Sequence, residues 1–270
     1  MKATVLVDNI SKEDVSGEWG LSIYIEYQGK NILLDTGGSE LFSENARKLG
    51  KELDKVDYAV LSHAHADHAN GMRAFFMSND KANFYLQNGA EENCYLKKWI
   101  FHKYVGLPKG ILEEYKERIR FAKGDYTLFP GVSLIPHKTA GLSEIGKKNS
   151  MYIRSKNGWK PDDFSHEQSL VFETTEGLVI FNCCSHGGAD NIINEIKATY
   201  PDKKIKALIG GFHLFGKPKK EVKELAKRIK DTGIEMVYTG HCTGQKSYKV
   251  LKEELGDMVQ QLRVGLEIEM

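Results

Sequence analysis

Ser62-His63-Ala64-His65-Ala66-Asp67-His68 is the stretch on which the reading of this chain turns. Three histidines and an aspartate fall within the six positions from His63 onward. Imidazole nitrogen and carboxylate oxygen are the natural ligands of zinc and similar divalent ions. The stretch follows Tyr58-Ala59-Val60-Leu61, an apolar run that reads as a buried strand. A chain leaving that strand in extended form points alternate residues the same way, so His63 and His65 can meet one ion. Asp67 and His68 come just after, where a turn into a helix aims both at a second ion beside the first. The small alanines at 64 and 66 let the backbone fold tightly there. A histidine-rich solvated loop accounts poorly for four ligand-type residues placed directly after a buried strand.

Outward from the cluster, residues 21–27 alternate with period two, Gln28-Gly29-Lys30 makes a turn, and 31–35 form the second arm of a hairpin. Gly37-Gly38 leads into a polar helix over 39–49. Residues 91–123 read as charged helices anchored by Trp99, Phe101 and Tyr104, with His102 on their surface. Strand signals return at 131–135, 150–153, 169–174 and 178–181, the last two joined by the turn Thr175-Glu176-Gly177. Helices over 189–199, 219–232 and 244–255 then alternate with strands at 207–209 and 236–238. Strands then helix, followed by a second, similar half, predict an α/β fold: two mixed sheets face to face with helices outside, a four-layer αββα sandwich. No repeat, low-complexity tract or proline-marked linker divides the chain. The expectation is a single domain over 1–270 with a helical insertion at about 90–123.

Basic and acidic residues number 38 and 37, a balance that gives no reason to expect nucleic acid or an anionic membrane as partner. The small glycine pairs are not accompanied by a nucleotide-binding Gly-Lys loop. No apolar run approaches the roughly 20 residues needed to span a bilayer, and the one at the N-terminus is too short for an export signal. Cys94, Cys183, Cys184 and Cys242 lack disulfide-framework spacing, and a bridge between the adjacent pair would be strained. A reducing cytoplasm is the expected location. Oligomeric state, a homo-oligomer included, stays open.

At His63-x-His65-x-Asp67-His68 the chain resembles the metallo-β-lactamase superfamily, whose signature is His-x-His-x-Asp-His after a strand. Leu33-Leu34-Asp35-Thr36-Gly37 is similar to that superfamily's early strand-end motif, in which the aspartate supports the metal site from behind. Trp19-Gly20-Leu21-Ser22, Cys184-Ser185-His186-Gly187-Gly188 and Gly240-His241-Cys242-Thr243-Gly244 resemble one branch of it. That branch includes bacterial and archaeal dihydropterin–ribofuranosylaminobenzene phosphate synthases. The resemblance spans essentially the whole chain and implies two groups of metal ligands. His186 joins His63 and His65, giving three protein ligands and an open position; His241 joins Asp67 and His68. Asp35 is then the supporting carboxylate. Many members carry a bridging aspartate where this chain has Asn182-Cys183-Cys184-Ser185. Cys184 as a thiolate ligand and Cys184 as a buried free thiol both stay open. So does His137 as the third histidine ligand in place of His186. His213 ends another strand and is expected to contact substrate or shuttle a proton; His166 lies in a loop expected to border the pocket.

A metal with an open position lowers the pKa of bound water from 15.7 to about 7 and polarises a carbonyl or phosphoryl oxygen. The expected function is therefore a metal-dependent hydrolase that uses metal-bound hydroxide on an ester or phosphoester of a small, anionic molecule. Its ions are expected to be one or two zincs, with iron or manganese as alternatives. Asp67 orients the water, and the turns Gly187-Gly188 and Gly210-Gly211 offer backbone N–H groups to an anion. A transferase of pterin biosynthesis that displaces pyrophosphate is the alternative, and a non-catalytic metal or ligand sensor the second alternative.

Overall fold

The computed structural model describes residues 1–270. The apolar runs become the strands of two seven-stranded sheets. In spatial order the first holds Glu267–Glu269, Lys2–Val7, Ser22–Tyr27, Lys30–Leu34, Tyr58–Val60, Asn83–Gln87 and Ile119–Ala122. The second holds Val259–Gln261, Met236–Thr239, Ile205–Gly210, Gly177–Phe181, Gln168–Thr174, Val132–Pro136 and Tyr126–Phe129. Both sheets are mixed. Lys30–Leu34, Tyr58–Val60, Asn83–Gln87 and Ile119–Ala122 run parallel in the first, as Gly177–Phe181, Ile205–Gly210, Met236–Thr239 and Val259–Gln261 do in the second.

Strands alternate faces, and each sheet fills two cores accordingly. Between the sheets, Ile23, Ile25, Ile32, Leu34 and Val60 meet Leu170, Phe172, Val179, Phe181 and Ile209. On the outer side of the first sheet, Leu33, Ala59 and Phe84 pack against Phe42 and Ala46 of the helix Leu41–Lys48 and Phe75 of Met72–Ser78. Beyond the second sheet, Ile180, Leu208 and Val237 pack on the helices Ala189–Thr199, Lys219–Asp231 and Gln245–Leu255. The order across the molecule is helix, sheet, sheet, helix, as the alternation of elements predicts.

The stretch expected to be helical is a correction. Residues 94–104 form a hairpin, Cys94–Lys98 and Phe101–Tyr104, and only Ile111–Glu114 is helical between it and the strand Ile119–Ala122. The hairpin joins Met151–Ser155 and Gly158–Pro161 in a separate four-stranded sheet. Charge density suggested helix, but Tyr95, Tyr104, Tyr152 and Trp159 are aromatic residues that favour a pleated surface. His102, expected on a helix surface, lies on the strand Phe101–Tyr104, half-buried and stacked on Trp159 with ring centroids 3.7 Å apart.

The parallel strands end at one rim, and the histidine cluster sits there. Asp35 follows Leu34, Ser62 and His63 follow Val60 after one residue, and Asn182–His186 follows Phe181. Gly211–His213 follows Gly210, and Gly240–His241 follows Thr239. Ligand sites in α/β sheets gather at such carboxyl ends of strands. Gln168 fastens the rim across the sandwich, its backbone N–H donating to Ser62 O at 2.8 Å and its Nε2 to Leu61 O at 2.8 Å.

Candidate metal centre

Buried imidazoles crowd the rim, and the hydrogen bonds on their far sides fix which nitrogen of each is free. Ser62 Oγ donates to Asp35 Oδ2 at 2.6 Å, so its single proton is used and it accepts from His63 Nδ1 at 2.8 Å. His63 Nε2 therefore carries a lone pair, and it is buried with no hydrogen-bond partner. His68 Nδ1 donates to Asp35 Oδ2 at 2.7 Å, which leaves His68 Nε2 as a lone pair. His186 Nδ1 bonds the Glu167 carboxylate, and His241 Nδ1 donates to Asn9 Oδ1 at 3.2 Å. All four rings thus hold a proton on the outside and turn a lone pair inward, the arrangement in which metal-binding histidines are held by outer partners.

The inward atoms fall into adjoining groups. One ligand atom each of His63, His65 and His186 lies within 4.8 Å of the other two, and the same holds for His63, His68 and Cys184 and for Cys184, His241 and Cys242. His68 Nε2 faces His241 Nε2 at 3.1 Å, and Cys184 Sγ is 3.2 Å from His68 Nε2. Two such lone pairs approach this closely only with positive charge between them, a proton in the metal-free protein or a metal ion in the loaded one. Asp67 Oδ2 stands 3.4 Å from His241 Nε2 and accepts from Trp19 Nε1 at 2.9 Å. The residues present fit divalent ions on these grounds: unpartnered buried nitrogens, fixed tautomers and a nitrogen, oxygen and sulfur donor set.

Electrostatics agree for two members of the first group, while at His65 burial is outweighed by the hydrogen bonds to Asp162 and Cys94, which raise it to about 9. Burial pushes His186 down to about 4, and burial with the neighbouring histidines pushes His63 well below the usual histidine range. Both are neutral ligands at neutral pH. Behind them the order reverses. Burial opposes ionisation of Glu167, yet His186 and His137 on either side hold it well below the carboxylate range. Burial likewise opposes the charge on His137, but the Glu167 and Glu195 carboxylates raise it to about 10. His137 Nε2 lies 2.9 Å from Glu167 Oε1 and Nδ1 3.2 Å from Glu195 Oε2. With both nitrogens donating to carboxylates, His137 has no lone pair for an ion, and His186 occupies the place beside His63 and His65.

Backbone strain concentrates at the same rim. Asp35, Ser185, His213 and His241 have positive φ, at 59°, 50°, 47° and 44°. Each costs on the order of 1–3 kcal/mol unless its surroundings enforce it. For Asp35 they do: its N–H donates to Val60 O, its carbonyl accepts from Ser22 Oγ at 2.8 Å, and Oδ1 accepts from Ser62 N–H at 2.7 Å. His241 is held by its N–H to Asp8 Oδ2 at 2.9 Å. Asp8 and Asn9, just past the first strand, carry that turn.

A cavity of about 430 Å³ opens over the cluster, walled by Trp19, Asp67, Leu96, Lys103, His186 and His213. Leu96 and Lys103 come from the four-stranded sheet, which thereby forms one side of the pocket. His213 faces this cavity as expected, its ring 4.7 Å from that of His186 and its Nδ1 without a partner. His166 does not border the pocket. It is buried behind His65, accepting from Ala64 N–H at Nδ1 (3.2 Å) and facing Asp162 Oδ2 at Nε2 (3.1 Å). Within the glycine turns, Gly188 N–H donates to Ser185 O and Gly211 N–H to Cys183 O, both at 2.9 Å. Neither is free for an anion.

Several residues at the site carried no role in the sequence reading. Glu167, fully buried behind His186, sits in the loop 162–168 with no spacing that marks it. Asn9 could have been noticed as an amide at a strand end beside Asp8. Trp19 stood in a motif, yet its bond to Asp67 was not readable. Cys242 lies next to His241, where a thiol beside a ligand candidate is a signal in plain sight.

Comparison with known proteins bears on the family and the fold. The family model described as the metallo-beta-lactamase superfamily matches residues 20–241. The chain is 27% identical over 292 residues to the 7,8-dihydropterin-6-methyl-4-(β-D-ribofuranosyl)-aminobenzene-5'-phosphate synthase of Methanocaldococcus jannaschii, covering 96% of both. A solved structure of a metal-dependent hydrolase of the β-lactamase superfamily is 29% identical with a TM-score of 0.86, covering 100% of this chain and 99% of that one. Zinc-bound PqqB from Methylobacterium extorquens shares the fold at a TM-score of 0.60 and 10% identity, with 100% of each chain covered.

Proposed function

The chain belongs to the metallo-β-lactamase superfamily, and from that premise we propose that it is a metal-dependent hydrolase of ester or phosphoester bonds in a small anionic molecule. One observation carries the reading: the lone pairs of His63, His68, His186 and His241 converge on one rim, each fixed by an acceptor or hydroxyl behind it. His63, His65 and His186 would hold one ion. Asp67, His68 and His241 would hold a second, with zinc the expected metal. A bound divalent ion supplies an acidified water, its pKa brought to about 7, and polarises the oxygen of the scissile group.

The chain's own residues do the rest. Asp67 has a side chain 28% exposed to the cavity while Trp19 N–H steadies Oδ2, so its carboxylate can orient an attacking water. His213 lines the same cavity, and its imidazole would give a proton to the leaving oxygen. Lys103 supplies a cation on the cavity wall for an anionic substrate. Phe164 stacks on His186 with centroids 4.5 Å apart and keeps water from that side of the ring.

The second reading is a transferase acting on pterin substrates, favoured by the named relative at 27% identity over nearly the whole chain. In it the same residues would hold a pyrophosphate leaving group. One experiment addresses both readings: metal content per chain by elemental analysis, on the native protein and on His63→Ala, with both assayed against bis-p-nitrophenyl phosphate. About two metals, reduced with His63 together with turnover, supports the hydrolase. Metal without hydrolysis directs the test to pterin pyrophosphates. No metal in either sample after reconstitution overturns the proposal.

A further inference from the structure

Sulfur at this rim is concentrated where the two histidine groups touch. Cys184 Sγ is grouped with His63 on one side and His68 on the other, all within 4.8 Å, and it is also grouped with His241 and Cys242. No other atom is common to those groups. His63 belongs with His65 and His186, and His68 faces His241, so Cys184, grouped with His63 and His68 together, lies where the two sets adjoin. It is buried in the fold yet on the wall of the cavity, as is Cys242.

Specific contacts position both thiols, Cys242 Sγ donating to Cys184 O at 3.8 Å among them. Cys242 Sγ accepts the His213 N–H at 3.3 Å. Its space exists because residue 211 is glycine: a Cβ there would run into the sulfur. Cys184 follows Asn182, whose Oδ1 accepts Ser185 N–H at 2.8 Å and whose Nδ2 donates to Ser169 Oγ at 3.0 Å, so the turn that aims it is fixed from both sides. Cys183, next in sequence, faces the other way, toward Asp35 and His68 Nδ1.

Resting on the metal reading above, we propose that Cys184 bridges the two ions as a thiolate and that Cys242 is a further sulfur ligand of the His68–His241 group, making that group thiophilic. Thiolates are soft ligands and imidazoles borderline ones. A group of two sulfurs and two nitrogens beside the single Asp67 oxygen selects zinc, cadmium or cobalt over magnesium or manganese, which prefer oxygen. Loading displaces the thiol protons into solvent, since the thiolate is the ligand form.

The test is cobalt(II) reconstitution of the full chain, read by absorption and by metal content. The expected result is a near-ultraviolet sulfur-to-cobalt charge-transfer band alongside the visible bands of bound cobalt. Cys184→Ser should lose most of that band and bind the second ion at least tenfold more weakly. Cys184→Asp restores an anionic bridge and should keep two ions, with only the part of the band that Cys242 contributes. Cys183→Ser should leave the band intact, and circular dichroism reports whether each variant is folded. Two bound cobalts with no charge-transfer band overturn the thiolate bridge and leave the metal reading standing. A band that persists in Cys184→Ser and vanishes in Cys183→Ser also overturns it. No cobalt bound at all removes both readings. As a second readout, apo-protein offered equal zinc and manganese should retain zinc, and equal retention of both counts against the proposal.

Discussion

The two ligand groups lie side by side on one rim, yet their negative charge is placed differently. The His63–His65–His186 group offers three nitrogens and no anionic atom of its own, and its carboxylates stand one layer back: Glu167 behind His186, and Asp35 behind Ser62. Asp162 Oδ2 lies 3.8 Å from His65 Nε2. The His68–His241 group has Asp67 and Cys184 among the inward atoms themselves, with Asp35 behind His68, and with the neutral Asn9 amide behind the His241 ring while Asp8 holds its backbone N–H. The first group thus depends on its outer layer for both geometry and charge. The second carries its charge within. Removing an outer partner should therefore harm the first group more than the second, and the predictions run in that order.

The largest effect belongs to the shared layer of the first group. Glu167→Gln leaves the His137 imidazolium buried with one carboxylate partner fewer, and breaking such a pair costs about 3–5 kcal/mol. It also removes the acceptor that sets the His186 tautomer, for which a 10–100-fold loss in metal affinity is the usual scale, about 10–100-fold here. Thermal unfolding and zinc titration both report it. A variant with native stability and native zinc affinity would mean that Glu167 does not brace the group. His137→Asn sharpens the point, because it removes the cation while keeping Glu167 on His186. It should cost stability but leave zinc affinity within a few-fold, judged on the same outer-partner scale of about 10-fold or more.

Asn9→Ala tests the other side. It deletes the neutral brace of His241 while Asp67 and Cys184 remain, so the second ion should weaken by about tenfold or less, at the lower end of the outer-partner scale. Competitive titration with a chromophoric chelator separates the two ions. If Asn9→Ala proves more damaging than Glu167→Gln, the difference in where the charge sits does not govern how the groups hold metal.

The same contrast explains what the sequence made legible. His63, His65, Asp67, His68, His186 and His241 each follow a strand at short range, so local pattern places them on one rim, and the structure brings their inward atoms together. The layered sandwich follows from strand and helix periodicity, which is also local. The outer layer is not local: Glu167 meets His186 across 19 positions and Asn9 meets His241 across 232. Only the pairing of sheets and the return of the chain create those contacts. The four-stranded sheet was misread for another reason. Its hairpin pairs with Met151–Ser155, more than fifty residues on. The exposed tip at Trp99, Ile100 and Phe101 breaks the period-two pattern that would have marked it as strand. Charge on Lys97, Lys98 and Lys103 then looked like a solvated helix face.

Trp19→Phe should give the smallest effect and is the most discriminating within the second group. The ring packs edge-on against Phe215, centroids 5.3 Å apart, and phenylalanine can keep most of that contact. What it loses is the Nε1–H bond to Asp67 Oδ2 at 2.9 Å. A hydrogen bond to a charged group is worth about 1.5–3 kcal/mol when shielded. Trp19 is 48% exposed, so water replaces much of it and the loss here should be about 1 kcal/mol or less. Stability and zinc content should then stay unchanged while turnover falls a few-fold, about fivefold for 1 kcal/mol, because the carboxylate that orients the water has lost its fixed angle. A fall in metal content instead would place Asp67's main duty in holding the ion. No change in either would mean that Asp67 is steadied by its neighbouring histidines and that Trp19 serves only as a wall of the cavity.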